Sequence, residues 1–119
     1  RYIEALNLRG QLLSQFTDTV FAVADALIAP AVPFQVPTIA DTDVGANQGF
    51  LDMIAGFGRC TRPFNFLGLP ALSVPYGFTS NGLPTGYQIV GRSFDEATLF
   101  RAARAFERET SCTDREPEI

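Results

Sequence analysis

Histidine, lysine and tryptophan are absent from the 119-residue chain, and methionine occurs once, at Met53. The first two absences remove the usual general base and the commonest metal ligand. Arginine, with a pKa above about 12, replaces neither. All nine basic residues are arginines, scattered among thirteen acids to leave a net charge of −4 and a pI near 4.6. With no basic patch, binding to nucleic-acid phosphates and docking on anionic lipid are excluded. No apolar run approaches the ~20 residues of a spanning helix. No basic start leads into an apolar h-region either, so a soluble chain with no membrane partner is expected. Cysteine occurs only at Cys60 and Cys112, too sparse for a disulfide framework. Nothing marks a secreted context, so the expectation is two unrelated thiols in a cytoplasmic protein. Without His or Lys to depress a thiol pKa, neither cysteine reads as a nucleophile.

What is present is globular: 46% hydrophobic and 18% charged residues, with ten glycines. A chain of this length is expected to form one core and to bury roughly two thirds of its unfolded surface. It starts at Arg1, whereas removal of an initiator methionine normally requires a small second residue, so a piece of a longer polypeptide is expected.

Tyr2, Ala5, Leu6, Leu13, Phe16 and Val20 recur at helical intervals and predict a helix over 2–21, weakened at Gly10. The continuous apolar run 26–29 stops at Pro30 and predicts a strand buried on both faces. Residues 34–48 carry turn formers and no periodicity, a loop long enough to suspect function. Leu51, Ile54, Phe57 and Phe64 predict a helical segment over 50–66, broken by Gly56, Gly58 and Pro63. Strands at 70–77 and 85–91, around a loop with Asn81-Gly82 at its tip, predict a hairpin whose ladder Pro75 limits. Ser93 with Glu96 reads as a capping box, and Leu99, Ala102, Ala103 and Phe106 continue a helix over 95–109. The division expected is a unit over 1–110 and a polar tail over 111–119.

Among candidate chemistry, Ser73 lies in an apolar stretch but lacks the flanking glycines of a nucleophile elbow. It also has no His or Lys in this chain to activate it, so it reads as a strand serine bonded to backbone. Asp41, Asp43, Asn47 and Asp52 resemble a calcium loop only superficially. Gly45 and Ala46 stand where a ligand and a glycine are needed, and no bidentate glutamate closes the loop. Glu107 and Glu109 beside Arg104 and Arg108 read as a solvated helix face. Nothing calls for a metal or cofactor.

The central stretch is different in kind. Thr61-x-Pro63-Phe64-Asn65-x-x-Gly68-x-Pro70-Ala71-x-Ser73-x-Pro75-x-Gly77 is followed by Gly82-Leu83-Pro84-x-Gly86-x-Gln88-Ile89-Val90-Gly91-x-x-Phe94-x-Glu96. This pattern closely resembles the C-terminal portion of the amidase signature family. The resemblance extends upstream through Asp25-x-Leu27-Ile28-x-Pro30-x-x-Pro33 to Arg9 and Tyr2, so it covers all but the tail. It implies an α/β fold, a mixed β-sheet with flanking helices, of which this chain is a C-terminal fragment. It also implies hydrolysis of carboxylic amides through an acyl-enzyme. The family's nucleophilic serine, second serine and lysine lie upstream of the matched region, beside a glycine- and serine-rich stretch whose N–H groups stabilise an oxyanion.

None of that stretch is in this chain, and no lysine is present to complete the triad. The chain alone is therefore expected to be inactive. What the resemblance carries over is pocket wall: Ala55, Gly58 and Arg62, with Thr61 alongside, lining the acyl-binding side. Their spacing of three and four residues fits one helix face. The glutamine-hydrolysing components of glutamyl-tRNA amidotransferases resemble this family too, and usually hold an aspartate three residues before the motif threonine. Gly58 stands there instead, so an amidase acting on a small or aromatic acyl amide is preferred to a glutamine-dependent enzyme. The expected partners are the remainder of the amidase polypeptide, or further copies of this chain, and a small-molecule amide. The rival reading is a non-enzymatic remnant that binds or oligomerises.

Overall fold

The computed structural model describes every residue except 44, 46–48, 112–113 and 115–119. Asn47 of the discounted calcium loop, Cys112 and most of the expected tail therefore lie outside the described residues. In chain order the helices and strands are α1 (Tyr2–Val20), β1 (Ala26–Pro30), α2 (Phe50–Phe57), α3 (Arg62–Leu67), β2 (Ala71–Phe78), β3 (Pro84–Gly91) and α4 (Glu96–Thr110). The three strands form an antiparallel sheet in the order β1-β3-β2, with helices flanking it, as the α/β expectation requires.

The alternation of side chains along the strands divides two helical layers between the two faces. Leu27 and Ala71 flank Val90, and this face meets α1 and α3 through Phe21, Phe64, Leu67 and Leu69, with Leu13, Phe16 and Val20 packed around them. Phe16 stands edge-on to Phe21 and Phe64, at centroid distances of 5.8 and 6.1 Å. Ile28 and Leu72 flank Ile89 on the opposite face, where Val74, Leu99 and Ala103 close a second cluster under α4. Two cores on opposite sides of one sheet thus replace the single core expected.

Neither core is closed. The accessible surface is 8693 Å², against about 6,300 Å² for a compact monomer of 13.0 kDa. The radius of gyration is 17.0 Å, against about 13.5 Å for a compact domain of this length. The molecule is a slab of 43 × 42 × 18 Å. Only the C-terminal half of α1 reaches the core; Tyr2, Ile3, Leu6 and Leu8 face outward.

Strand β1 corrects a sequence expectation for the same reason. Its apolar run predicts cover on both faces, yet it is an edge strand and Ile28 is 66% exposed. An uninterrupted apolar run reports that both faces want cover, and this chain supplies cover to one of them. Pro30 ends the edge strand and Pro75 lies in the other edge strand, where a missing N–H is tolerated. The β2–β3 register shifts between Pro75 and Gly77, and the connection is closed by Thr79 N–H to Leu83 O at 2.8 Å with Gly82 at φ +77°.

Arg92 ties the end of β3 to the turn after α1. Its guanidinium donates to Phe21 O at 2.6 Å and Ala24 O at 3.3 Å and lies 5.3 Å from the Phe21 ring centre. At α3 the chain reverses through Gly68, at φ +74°, with Leu69 N–H donating to Phe64 O in a Schellman closure.

The capping box is found elsewhere than expected. Asp95, not Ser93, precedes α4, and Phe94 at φ +63° turns the chain between them, so Ser93 caps nothing. The reciprocal pair is Thr38 and Asp41, at the short 3₁₀ turn Ala40–Thr42. Asp41 N–H donates to Thr38 Oγ1 at 3.2 Å, and Thr38 N–H donates to the Asp41 carboxylate at 3.1 Å. The Thr38 hydroxyl donates to the same carboxylate at 2.6 Å, and this bond first, then the backbone N–H, holds the Asp41 carboxyl below its ordinary 3.8. A depressed carboxyl contributes stability above its unfolded pKa and loses it as pH falls through the folded value. Acidification below pH 3.8 is therefore expected to loosen this turn. Thr38→Val should raise the Asp41 midpoint toward 3.8. Carboxyl chemical shifts followed through an acid titration check both, and an unmoved midpoint in the variant refutes the assignment.

Candidate functional site

The stretch from the end of α2 to the start of α3 carries the four residues singled out from the sequence. Helix α2 ends at Phe57 because glycines at 56 and 58 offer little helix propensity and no side chain to pack. Gly58 O then accepts from Thr61 N–H at 3.2 Å, Arg62 N–H at 2.8 Å and the Thr61 hydroxyl at 3.5 Å, so one carbonyl gathers the turn around itself. Pro63 at the start of α3 fits the first turn of a helix, where its missing N–H is not needed.

The structure brings three of the four residues together. The Arg62 side chain folds back over Gly58: a Cβ built on Gly58 would stand 2.6 Å from Arg62 Nε and 3.2 Å from its Cγ. The guanidinium can lie there because residue 58 has no side chain. Arg62 is exposed and has no acidic partner among the described residues. Thr61 is half-buried beneath it. Ala55 is exposed, one turn earlier in α2.

Two further contacts hold this turn against the sheet. Phe34, from the loop that follows β1, packs at 4.9 Å between ring centres against Phe57 and presses on Gly56, where a Cβ would meet the ring at 2.9 Å. Gln88, in the middle of β3, is 4% exposed, and its Nε2 donates to both Pro30 O and Cys60 O at 2.9 Å. In the sequence Gln88 is one motif letter among many and does not announce a role. Its signal is a lone amide in an otherwise apolar strand, Tyr87-Gln88-Ile89-Val90, since a buried amide demands hydrogen-bond partners.

Cavities adjoin the same region. One of about 340 Å³ lies between residues 31–36 of that loop and Thr79, Pro84, Thr85 and Gly86. Another of about 450 Å³ is apolar and is walled by Ile28, Tyr76, Tyr87 and Phe106. Ser73 is exposed in β2, opposite Gln88, with no histidine or lysine in the chain to activate it. Asp41 and Asp43 accept hydrogen bonds from their own loop, Asp43 from Gly45 N–H at 2.9 Å. The arrangement offers an exposed guanidinium over a side-chain-free backbone, with no histidine or lysine beside it to move a proton.

Comparisons with known proteins bear on what such a surface serves. The family model described as Amidase matches residues 1–100. The A component of the glutamyl-tRNA(Gln) amidotransferase from Moorella thermoacetica is 43% identical over 99% of this chain and 23% of its own length. A fatty acid amide hydrolase from Medicago truncatula is 32% identical over 98% of this chain and 19% of its own length. Among solved structures, 6-aminohexanoate cyclic dimer hydrolase complexed with substrate superposes with a TM-score of 0.69 at 31% identity, over 97% of this chain and 24% of that one. The chain thus spans about a quarter of the length of the relatives it matches.

Proposed function

Because the chain belongs to the amidase family, we propose that it is the C-terminal segment of an amide hydrolase whose Ser-Ser-Lys triad lies upstream of it. Residues 1–110 form this segment's part of the amidase domain and 111–119 a polar tail. Its contribution is sheet, packing and the acyl-side wall of the substrate pocket, formed by Gly58, Thr61 and Arg62 with Ala55 one turn away. The observation that carries this reading is the folding of Arg62 over Gly58 in a turn with no acidic partner for the guanidinium among the described residues. The excess surface of the open slab supports the remainder of an amidase polypeptide as the partner. No described helix is long and apolar enough to cross a membrane, and a free Cys60 thiol supports a cytoplasmic setting.

A second reading, a component of a glutamine-dependent amidotransferase, is favoured by the 43% identity to such a protein. Gly58 argues against it, since a position without a side chain cannot pair with the ammonium of glutamine. Turnover of glutamine against acyl amides separates the two.

The wall itself is tested by an acyl-size series. Gly58→Leu must displace the Arg62 side chain. It is expected to discriminate against large acyl groups by about 1–3 kcal/mol, the range of a few methylenes in an apolar pocket. Arg62→Ala should cost most for substrates bearing a carboxylate, because guanidinium recognition is charge-assisted. Equal losses in kcat/KM for small and large amides would show that these residues support the fold only.

A further inference from the structure

Helix α2 makes few contacts with the other elements, and the turn that follows it is bonded internally, from Arg59 N–H to Gly56 O and from Thr61 and Arg62 to Gly58 O. Its anchor is remote in sequence. Gln88 Nε2 spends one N–H on Cys60 O, inside the turn, and the other on Pro30 O, where the strand β1 gives way to the loop bearing Phe34. That loop returns to the same place, because Phe34 packs against Phe57 and Gly56. The contacts close a circuit: Gln88 to Pro30, along the loop to Phe34, across to Phe57, along the turn to Cys60, and back to Gln88.

We infer that Gln88 is a positioning residue that sets the separation between the 58–62 turn, proposed above as the acyl-side wall, and the loop after β1, which lines a cavity of about 340 Å³. The inference rests on the amidase reading above. Gln88 suits the role because it stands on the central strand, the least free of the three to move, and is 4% exposed, so water does not compete for its amide. A neutral amide supplies two N–H donors to two backbone carbonyls without placing a charge behind the pocket. If either carbonyl were released, the turn bearing Gly58 and Arg62 and the loop bearing Phe34 would keep their local bonds and lose their common reference to the sheet.

The test replaces the amide by a thioether of similar length, Gln88→Met, and reads two quantities. Backbone hydrogen exchange of the full chain should accelerate at least tenfold in 58–62 and in 30–36 together, while the amides of α4 stay as they were. With the catalytic part of the polypeptide present, the ratio of kcat/KM between bulky and small acyl amides should fall at least fivefold. That ratio is indifferent to the fraction of enzyme folded, so a merely structural role leaves it unchanged. Should Gln88→Met fail to fold, Phe34→Ala opens the same circuit from a side chain that is 40% exposed, and the same two segments should loosen. Uniform acceleration along the chain, or a size ratio within twofold of the parent, overturns the role and leaves the amidase reading standing. A parent enzyme that turns over no amide overturns both.

Discussion

In solution the 119-residue chain alone is expected to associate with itself, its sedimentation coefficient rising with concentration instead of matching a 13.0-kDa monomer. The reason is the unfinished sheet. Both outer strands, β1 and β2, present open edges, since β3 is the only described strand paired on two sides. Unpaired edges are templates for further pairing. Alongside them stand exposed apolar groups that a closed domain would cover: Ile28 at 66%, Tyr76 at 63% and Phe100 at 62% exposed. An excess of roughly 2,400 Å² over a compact monomer is the size of a stable protein interface. Sedimentation velocity at several concentrations checks this. A compact species without concentration dependence would mean that the fragment closes its own core.

The same chain is expected to turn over no amide at all. Acyl transfer from an amide needs an activated nucleophile, a proton for the leaving nitrogen and donors for the oxyanion. Histidine and lysine, which most often serve these steps near neutral pH, are both absent. Ser73 sits exposed on a strand beside Gln88, whose N–H groups are already given to two backbone carbonyls. A wall that held the acyl group equally well before and during the reaction would leave the chemical step as slow as in water. Assays on simple aliphatic and aromatic amides, with Ser73→Ala in parallel, check this. Turnover that survives the substitution would contradict the account, and turnover abolished by it would make Ser73 the nucleophile.

How much of this is legible in the sequence depends on whether the deciding contact is local. Helix α4 and the hairpin are readable because period and turn chemistry belong to the segments themselves. The capping boxes show the limit of a local pattern: Ser93-x-x-Glu96 and Thr38-x-x-Asp41 look alike in sequence. Only at Thr38 does the backbone direct the two side chains at each other, whereas the positive φ of Phe94 turns Ser93 away. Strand β1 is readable as a strand, but the exposure of Ile28 is not, because no local pattern tells which face the helices cover. At the site, the spacing of Gly58, Thr61 and Arg62 anticipates their meeting. Gln88 is hidden for another reason: its partners are the carbonyls of Pro30 and Cys60, and a backbone carbonyl leaves no mark on the sequence.

The central claim, that this chain is the binding wall of an amidase whose chemistry resides elsewhere in the polypeptide, is tested most directly by reconstitution. The 119-residue chain, an upstream segment bearing the lysine and the glycine- and serine-rich stretch, and the two joined or co-expressed would be assayed on one series of acyl amides. The expected result is turnover only when both are present, with the preference among acyl groups shifted by Gly58→Leu in the 119-residue part. Full turnover by the upstream segment alone, with the same acyl preference, would contradict the claim.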